Sequence, residues 1–278
     1  MKIPVFPTVD IIWLLENISD PAVKVLESKL KPIGAKEDWE SGYKIPGAVL
    51  LDIEEDFSDK NSDLPHTLLS EEEFGKAAQR LGINQSDILV IYDQVGVYSS
   101  PRAWWMFRAM GHENVFVLDG GFPAWEKAGQ KTVIAEWSPM PQGNFKANFQ
   151  PQWFFDTQNV LDNLENTEVQ ILDARSAGRF YGTAPEPRAG MRGGHMPNAG
   201  NLPFDEVLNG HFLKSPQELK TIFAEKAKIN QKLVMTCGSG VTASILALAA
   251  TVAGKTNVAV YDGSWSEWGR PGDLPVVL

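Results

Sequence analysis

Residues 232–254 read KLVMTCGSGVTASILALAATVAG. The opening KLVM is short and apolar without alternation, the pattern of a strand buried on both faces. The run from Thr242 onward is long, Ala-rich and apolar, and reads as a buried helix. Between them lies CGSG, which holds Cys237, the only cysteine among 278 residues. In open α/β sheets ligands gather beyond the carboxyl ends of strands, where this thiol is placed. Gly238 and Gly240 carry no Cβ, so the backbone can curl and turn successive N–H groups inward. The following helix adds its free N–H groups and the positive end of its dipole. Ser239 and Thr242 can donate further hydrogen bonds. The result is an anion cradle around sulfur that favours the thiolate. A structural cysteine that merely packs well is the alternative, but it leaves the glycines without a reason.

The same arrangement occurs twice in the chain. GYKIPGAVLLDIEE (42–55) resembles GHMPNAGNLPFDEV (194–207), with Pro46 opposite Pro197. ILVIYD (88–93) matches KLVMTC (232–237), which sets Asp93 opposite Cys237. VLDGGFPAWEKAG (117–129) matches VYDGSWSEWGRPG (260–272), with Asp119 opposite Asp262 and Trp125 opposite Trp268. Three blocks in one order, at offsets of 151, 144 and 143 residues, indicate two homologous halves. Each half alternates short apolar strands with helical patterns, and Ser70 with Glu73 predicts a capping box on one of the helices. The fold class expected is therefore α/β: two tandem doubly wound parallel sheets with helices on both faces. The domains expected are 1–138 without catalytic residues, a Pro/Gly-bearing linker at 139–152, and a catalytic domain at 153–278.

Composition narrows the function. Lys and Arg total 25 against 35 Asp and Glu, a net charge of −10, which disfavours general nucleic-acid or anionic-membrane binding. A single cysteine excludes an internal disulfide framework and suits a reducing, cytoplasmic compartment. The apolar IIWLL (11–15) is bracketed by Asp10 and Glu16 and reads as a first helix, not a signal peptide. The apolar run 241–254 is too short to span a bilayer. The four histidines, His66, His112, His195 and His211, are too scattered for a metal motif, and no cofactor is called for. A tyrosine-phosphatase loop would carry arginine six residues after cysteine, where Ala243 stands. No histidine carries a local signal of a Cys–His hydrolase. A tight cradle suits a smaller anion, such as one extra sulfur on the cysteine.

With these residues in view, the chain resembles the two-domain rhodanese (sulfurtransferase) family over nearly its whole length. GYKIPGA and AVYDGSWSEW are similar to the two family signatures, and CGSGVTA is similar to the loop of the 3-mercaptopyruvate sulfurtransferases. Thiosulfate-preferring rhodaneses usually place a basic residue where Gly238 stands. A dianion gains from such a cation, whereas mercaptopyruvate carries one carboxylate and a ketone. The resemblance implies Cys237 as the persulfide carrier, with Gly238, Gly240, Val241 and Thr242 lining the donor. It implies Arg179 and Arg188 as the groups that hold the donor's carboxylate and ketone, a role suited to the planar guanidinium fork. It further implies a relay of Ser239, His66 and Glu55, with glutamate where some relatives have aspartate. Other departures are Tyr43 for a common His, Asn198 for a common Gly, and LESK (26–29) for the LDAR of the second half. The expected partners are a small sulfur donor, 3-mercaptopyruvate or else thiosulfate, and an acceptor such as thioredoxin, a small thiol or cyanide. A sulfur-relay carrier loaded by other proteins is the reading from another class.

Overall fold

The computed structural model describes residues 2–228 and 230–278. The chain forms two compact units. The first comprises residues up to Asp59, Leu68–Gln150 and Gly210–Leu213; the second comprises Lys60–Thr67, Pro151–Asn209 and Lys214–Leu278. The units thus do not follow a single cut in the chain, and the segment expected as a linker, 139–152, is divided between them at Gln150. Its residues up to 150 pack on the first unit. Phe145 is fully buried, with its ring centroid 6.1 Å from Phe74 and 5.8 Å from Phe107. Its N–H donates to the Ile83 carbonyl (3.1 Å), so the stretch is a strap on the core and not a free tether.

In the first unit, strands β1 (Thr8–Val9), β2 (Val23–Lys29), β3 (Val49–Asp52), β4 (Ile88–Tyr92) and β5 (Val115–Leu118) form one parallel sheet in the order β1-β5-β4-β2-β3. Helix α1 (Ile11–Asn17) joins β1 to β2, α2 (Ile53–Asp56) and α3 (Glu71–Arg80) lie between β3 and β4, α4 (Ser100–Ala109) joins β4 to β5, and α5 (Gly121–Lys127) follows β5. β4 is buried at every residue, as a central parallel strand must be when both faces are covered. α1 starts where Asp10 accepts from the Trp13 N–H (2.7 Å), which makes IIWLL an N-capped helix.

The second unit repeats the topology. β6 (Phe154–Phe155), β7 (Val169–Asp173), β8 (Gly200–Asn201), β9 (Lys232–Thr236) and β10 (Val258–Tyr261) are all parallel, in the order β6-β10-β9-β7-β8. Its helices are α6 (Thr157–Asn163), α7 (Ala177–Phe180), α8 (Pro216–Lys226), α9 (Val241–Val252) and α10 (Ser264–Trp268). Ten of the twelve residues of α9 are buried, the expected fate of a helix apolar on every side. The two-way capping box is found in this half. Ser215 accepts from the Glu218 N–H while the Glu218 carboxylate accepts from the Ser215 N–H. At Ser70 only the first of these bonds forms, and the hydroxyl itself donates to Glu73 (2.6 Å).

The turn after β4 explains what the cradle does in the half without a thiol. Asp93, 1% exposed, fills it. Its Oδ1 accepts from the N–H groups of Val95 (2.9 Å) and Gly96 (2.8 Å). Its Oδ2 accepts from the N–H groups of Tyr98 (2.8 Å), Ser99 (3.0 Å) and Ser100 (2.9 Å), and from the Ser100 hydroxyl (2.7 Å). The loop is an anion site occupied by the protein's own carboxylate. Replacing Asp93 by alanine strips buried donors of their acceptor, and a loss of at least about 3 kcal/mol is expected. Chemical denaturation measures this; a loss below about 1 kcal/mol would mean the loop does not depend on an anion.

Candidate active site

β9 ends at Thr236 and Cys237 follows it, 2% exposed. The loop is clasped from behind by the start of α10. The Cys237 carbonyl accepts from the Trp265 N–H (2.9 Å), and the Gly238 carbonyl accepts from the Ser266 N–H (2.8 Å). The Cys237 backbone N–H donates to Ser264 Oγ (3.2 Å), and that hydroxyl donates to the Tyr261 carbonyl (2.8 Å). In a trans peptide the N–H points opposite to its carbonyl. Turning these two carbonyls toward α10 therefore aims the N–H groups of Gly238 and Ser239 the other way. Gly240, at φ +78°, then reverses the chain into α9. The Asp93 loop is held alike, its carbonyl accepting from the Phe122 N–H (3.0 Å). There the convergent N–H groups grip a carboxylate; here the residue at the equivalent position is Cys237. Helix α9 begins at Val241, four residues after Cys237, as α4 begins at Ser100, seven after Asp93, so a helix terminus adjoins each loop.

Ser239 is buried, and its Oγ lies 3.1 Å from His66 Nδ1. His66 reaches the second unit on the arm Lys60–Thr67. Arg270 fixes that arm, donating to the Asp63 carboxylate (2.6 Å) and to the Asp63 carbonyl (2.9 Å). The guanidinium holds the Asp63 carboxyl below the usual carboxylate range, so the clamp is charged at neutral pH. Ser62 Oγ and Thr67 Oγ1, 2.8 Å apart, close the arm on itself. His66 sits at φ +59°, in the left-handed region that non-glycine residues uncommonly adopt. Glu55 lies on α2 of the first unit, so within the second unit the expected relay consists of Ser239 and His66.

Both expected arginines face the loop. A Cβ at Gly238 would stand 3.1 Å from Arg179 Nη2 and 3.7 Å from Arg188 Nη1. The two differ in their partners. Arg179 is forked onto Glu186, with Nη2 at 2.6 Å and Nε at 3.2 Å from both oxygens. Arg188 makes no hydrogen bond or ion pair among the described residues. Glu186 also accepts from Arg175 (2.8 Å), whose other edge is bound by Asp173 at 2.7 to 3.1 Å. Arg175 is buried against the Trp265 ring, 4.0 Å from its centroid, and its flanking carboxylates hold it charged despite burial. Arg192 ties the chain end instead, donating to the carbonyls of Trp268 (2.8 Å) and Leu274 (2.9 Å).

A groove of about 610 Å³ opens beside Arg188, bordered by Ser62–Pro65, Met191, Ser266 and Arg270. The remaining histidines are engaged elsewhere. His112 binds the Asp87 carbonyl (2.9 Å), His195 stacks on Phe180 (3.9 Å), and His211 binds the Val95 carbonyl (2.7 Å). Sequence reasoning missed Glu186, Arg175, Ser264 and Arg270. Glu186 carried a readable signal: it stands between Pro185 and Pro187, and a residue preceding proline is confined to extended backbone.

The rhodanese-like domain pattern matches residues 11–128 and 156–270. The 3-mercaptopyruvate sulfurtransferase of Escherichia coli (strain K12) is 39% identical over 271 residues, covering 95% of each chain. The thiosulfate sulfurtransferase of Rattus norvegicus is 41% identical over 270 residues, covering 93% of this chain and 90% of that one. The crystal structure of SseA from Escherichia coli, a 3-mercaptopyruvate sulfotransferase, superposes with a TM-score of 0.83 at 36% identity, covering 94% of this chain and 100% of that one. With two matched domains, two equivalent parallel sheets and a single thiol at the head of the second, the chain belongs to the rhodanese family and is a two-domain sulfurtransferase.

Proposed function

We propose that this sulfurtransferase takes sulfur from 3-mercaptopyruvate through a persulfide on Cys237. The observation that carries the reading is the pair Gly238 and Arg188: no side chain after the cysteine, and one uncompensated guanidinium beside it. A donor with one carboxylate and a ketone fits that supply of charge. The Cys237 thiolate attacks the donor sulfur, an S–S bond forms, and the donor's C–S bond breaks. The electron pair leaves with pyruvate as its enolate, which a proton then quenches. Arg188, with Arg179 beside it, holds the carboxylate and meets the charge growing on the former ketone oxygen. Ser239, backed by His66, moves the proton. Val241 and Thr242 present the helix terminus to the outer sulfur, and no metal or organic cofactor takes part.

An acceptor thiolate next attacks the outer sulfur and releases the Cys237 thiolate. Thioredoxin, a small thiol or cyanide can serve, and the groove beside Arg188 is the approach proposed for it. Two half-reactions through one covalent form give ping-pong kinetics. A second reading, thiosulfate as the main donor, draws support from the 41% identity to the rat thiosulfate enzyme. No helix among the described residues is long and apolar enough to cross a membrane. A cytoplasmic setting, in which the lone thiol stays reduced, is part of the proposal.

Cys237→Ser is expected to keep the fold by circular dichroism and to lose at least about 1000-fold in turnover, because no other thiol can carry sulfur. Residual turnover of several per cent would defeat the assignment. Arg188→Ala is expected to lower kcat/KM for mercaptopyruvate by about 100-fold, the scale of one charge-assisted fork. Thiosulfate also loses the charge, but it presents neither the planar carboxylate that the fork grips nor a developing enolate, so its turnover should fall less. Steady-state assays with both donors decide it, and equal losses would remove the carboxylate role.

A further inference from the structure

We infer that Glu186 sets the donor preference of the site by fixing the charge of the arginine cluster that faces Gly238. The inference rests on the donor reading above and goes beyond it, to a residue outside the cradle. Three guanidiniums gather here, Arg175, Arg179 and Arg188, against two carboxylates, Asp173 and Glu186. One positive charge is left uncompensated, and it resides on Arg188. The neighbouring ion pair, Asp63–Arg270, is balanced within itself. A donor carrying one carboxylate meets one charge. A dianion such as thiosulfate meets the same single charge and is left half compensated.

Glu186 is built to hold this state. Its side chain is 5% exposed, so its field is weakly screened by solvent. It spans Arg175 at 2.8 Å and Arg179 at 2.6 Å, and the prolines on either side restrict its backbone. Arg179 therefore approaches Gly238 with its charge already answered. Arg175 does not depend on Glu186 for its placement. It keeps the two-oxygen fork of Asp173 and a bond to the Gly194 carbonyl (2.8 Å). Replacing the carboxylate by its amide thus changes the charge more than the scaffold. Glu186 is a positioning residue: it acts on the donor through Arg179.

The test compares the wild-type protein with Glu186→Gln and Glu186→Asp, using cyanide as acceptor. KM and kcat are measured for mercaptopyruvate and thiosulfate, along with competitive inhibition by sulfate, an unreactive dianion. The amide adds one positive charge to the cluster, and a dianion gains about twice the free energy of a monoanion from it. Glu186→Gln should lower the thiosulfate KM and the sulfate inhibition constant by about tenfold and the mercaptopyruvate KM by about threefold. Values of kcat should change little, and Glu186→Asp should restore the wild-type ratio. An unchanged donor ratio and sulfate constant would overturn the inference. Parallel losses for both donors with a lowered melting temperature would also overturn it, since they would mark a purely structural role. The sulfate constant keeps this test separate from the donor assignment. If wild type proved to prefer thiosulfate, the donor reading would fall while a tenfold shift in sulfate binding would still uphold the role of Glu186.

Discussion

The carbonyls of Cys237 and Gly238 are tied to the N–H groups of Trp265 and Ser266, and that clasp decides which way the next amides face. Everything at the site follows from it. Amides released from the sheet and not yet taken into the helix must find an acceptor or water, since a buried unpaired N–H is costly. In the first unit the acceptor is the Asp93 carboxylate, which collects five backbone N–H groups and a hydroxyl. In the second unit the residue at that point is Cys237, and the proposed persulfide is an anion that would answer the same demand. One half of the chain thus displays, filled by its own side chain, the loop that in the other half carries the thiol.

The loop supplies directional dipoles but no net charge, and the surrounding arginines divide that task unequally. Arg175 is committed to the scaffold by Asp173 and stacked on Trp265. Arg179 reaches the loop already paired with Glu186, and Arg188 reaches it with no hydrogen bond or ion pair among the described residues. A bare Gly238 lets both guanidiniums come close, since a Cβ there would already stand 3.1 Å from Arg179 Nη2. The absence of a cation on the loop and the presence of a carboxylate behind it act in the same direction, limiting the positive charge that a donor meets.

Much of this was legible in the sequence, for physical reasons that differ from residue to residue. The strand–loop–helix around Cys237 could be read because a fully buried strand and a helix apolar on all sides leave no other period. The correspondence of Asp93 with Cys237 followed from the repeat alone. Ser239 and His66 were named through the family resemblance, and the structure brings them to 3.1 Å. What escaped were contacts chosen by tertiary geometry. Asp63 and Arg270, 207 residues apart, carry no local pattern that would pair them, yet they assign the arm bearing His66 to the second unit. The stretch 139–152 has the prolines and glycine of a linker, but Phe145 within it finds an aromatic pocket and turns most of it into a strap. Glu186 was passed over because an acidic residue in a Pro/Gly-rich loop usually faces water, although the prolines on either side marked its backbone as restricted.

The central claim is that the amides around Cys237 hold a sulfur anion during turnover. Intact-protein mass spectrometry after exposure to 3-mercaptopyruvate, without any acceptor, tests it most directly. The account predicts one added sulfur, about 32 Da, located on Cys237, removed by cyanide and absent from the serine variant. Release of pyruvate with no mass gained at Cys237, or sulfur found on the serine variant, would contradict it.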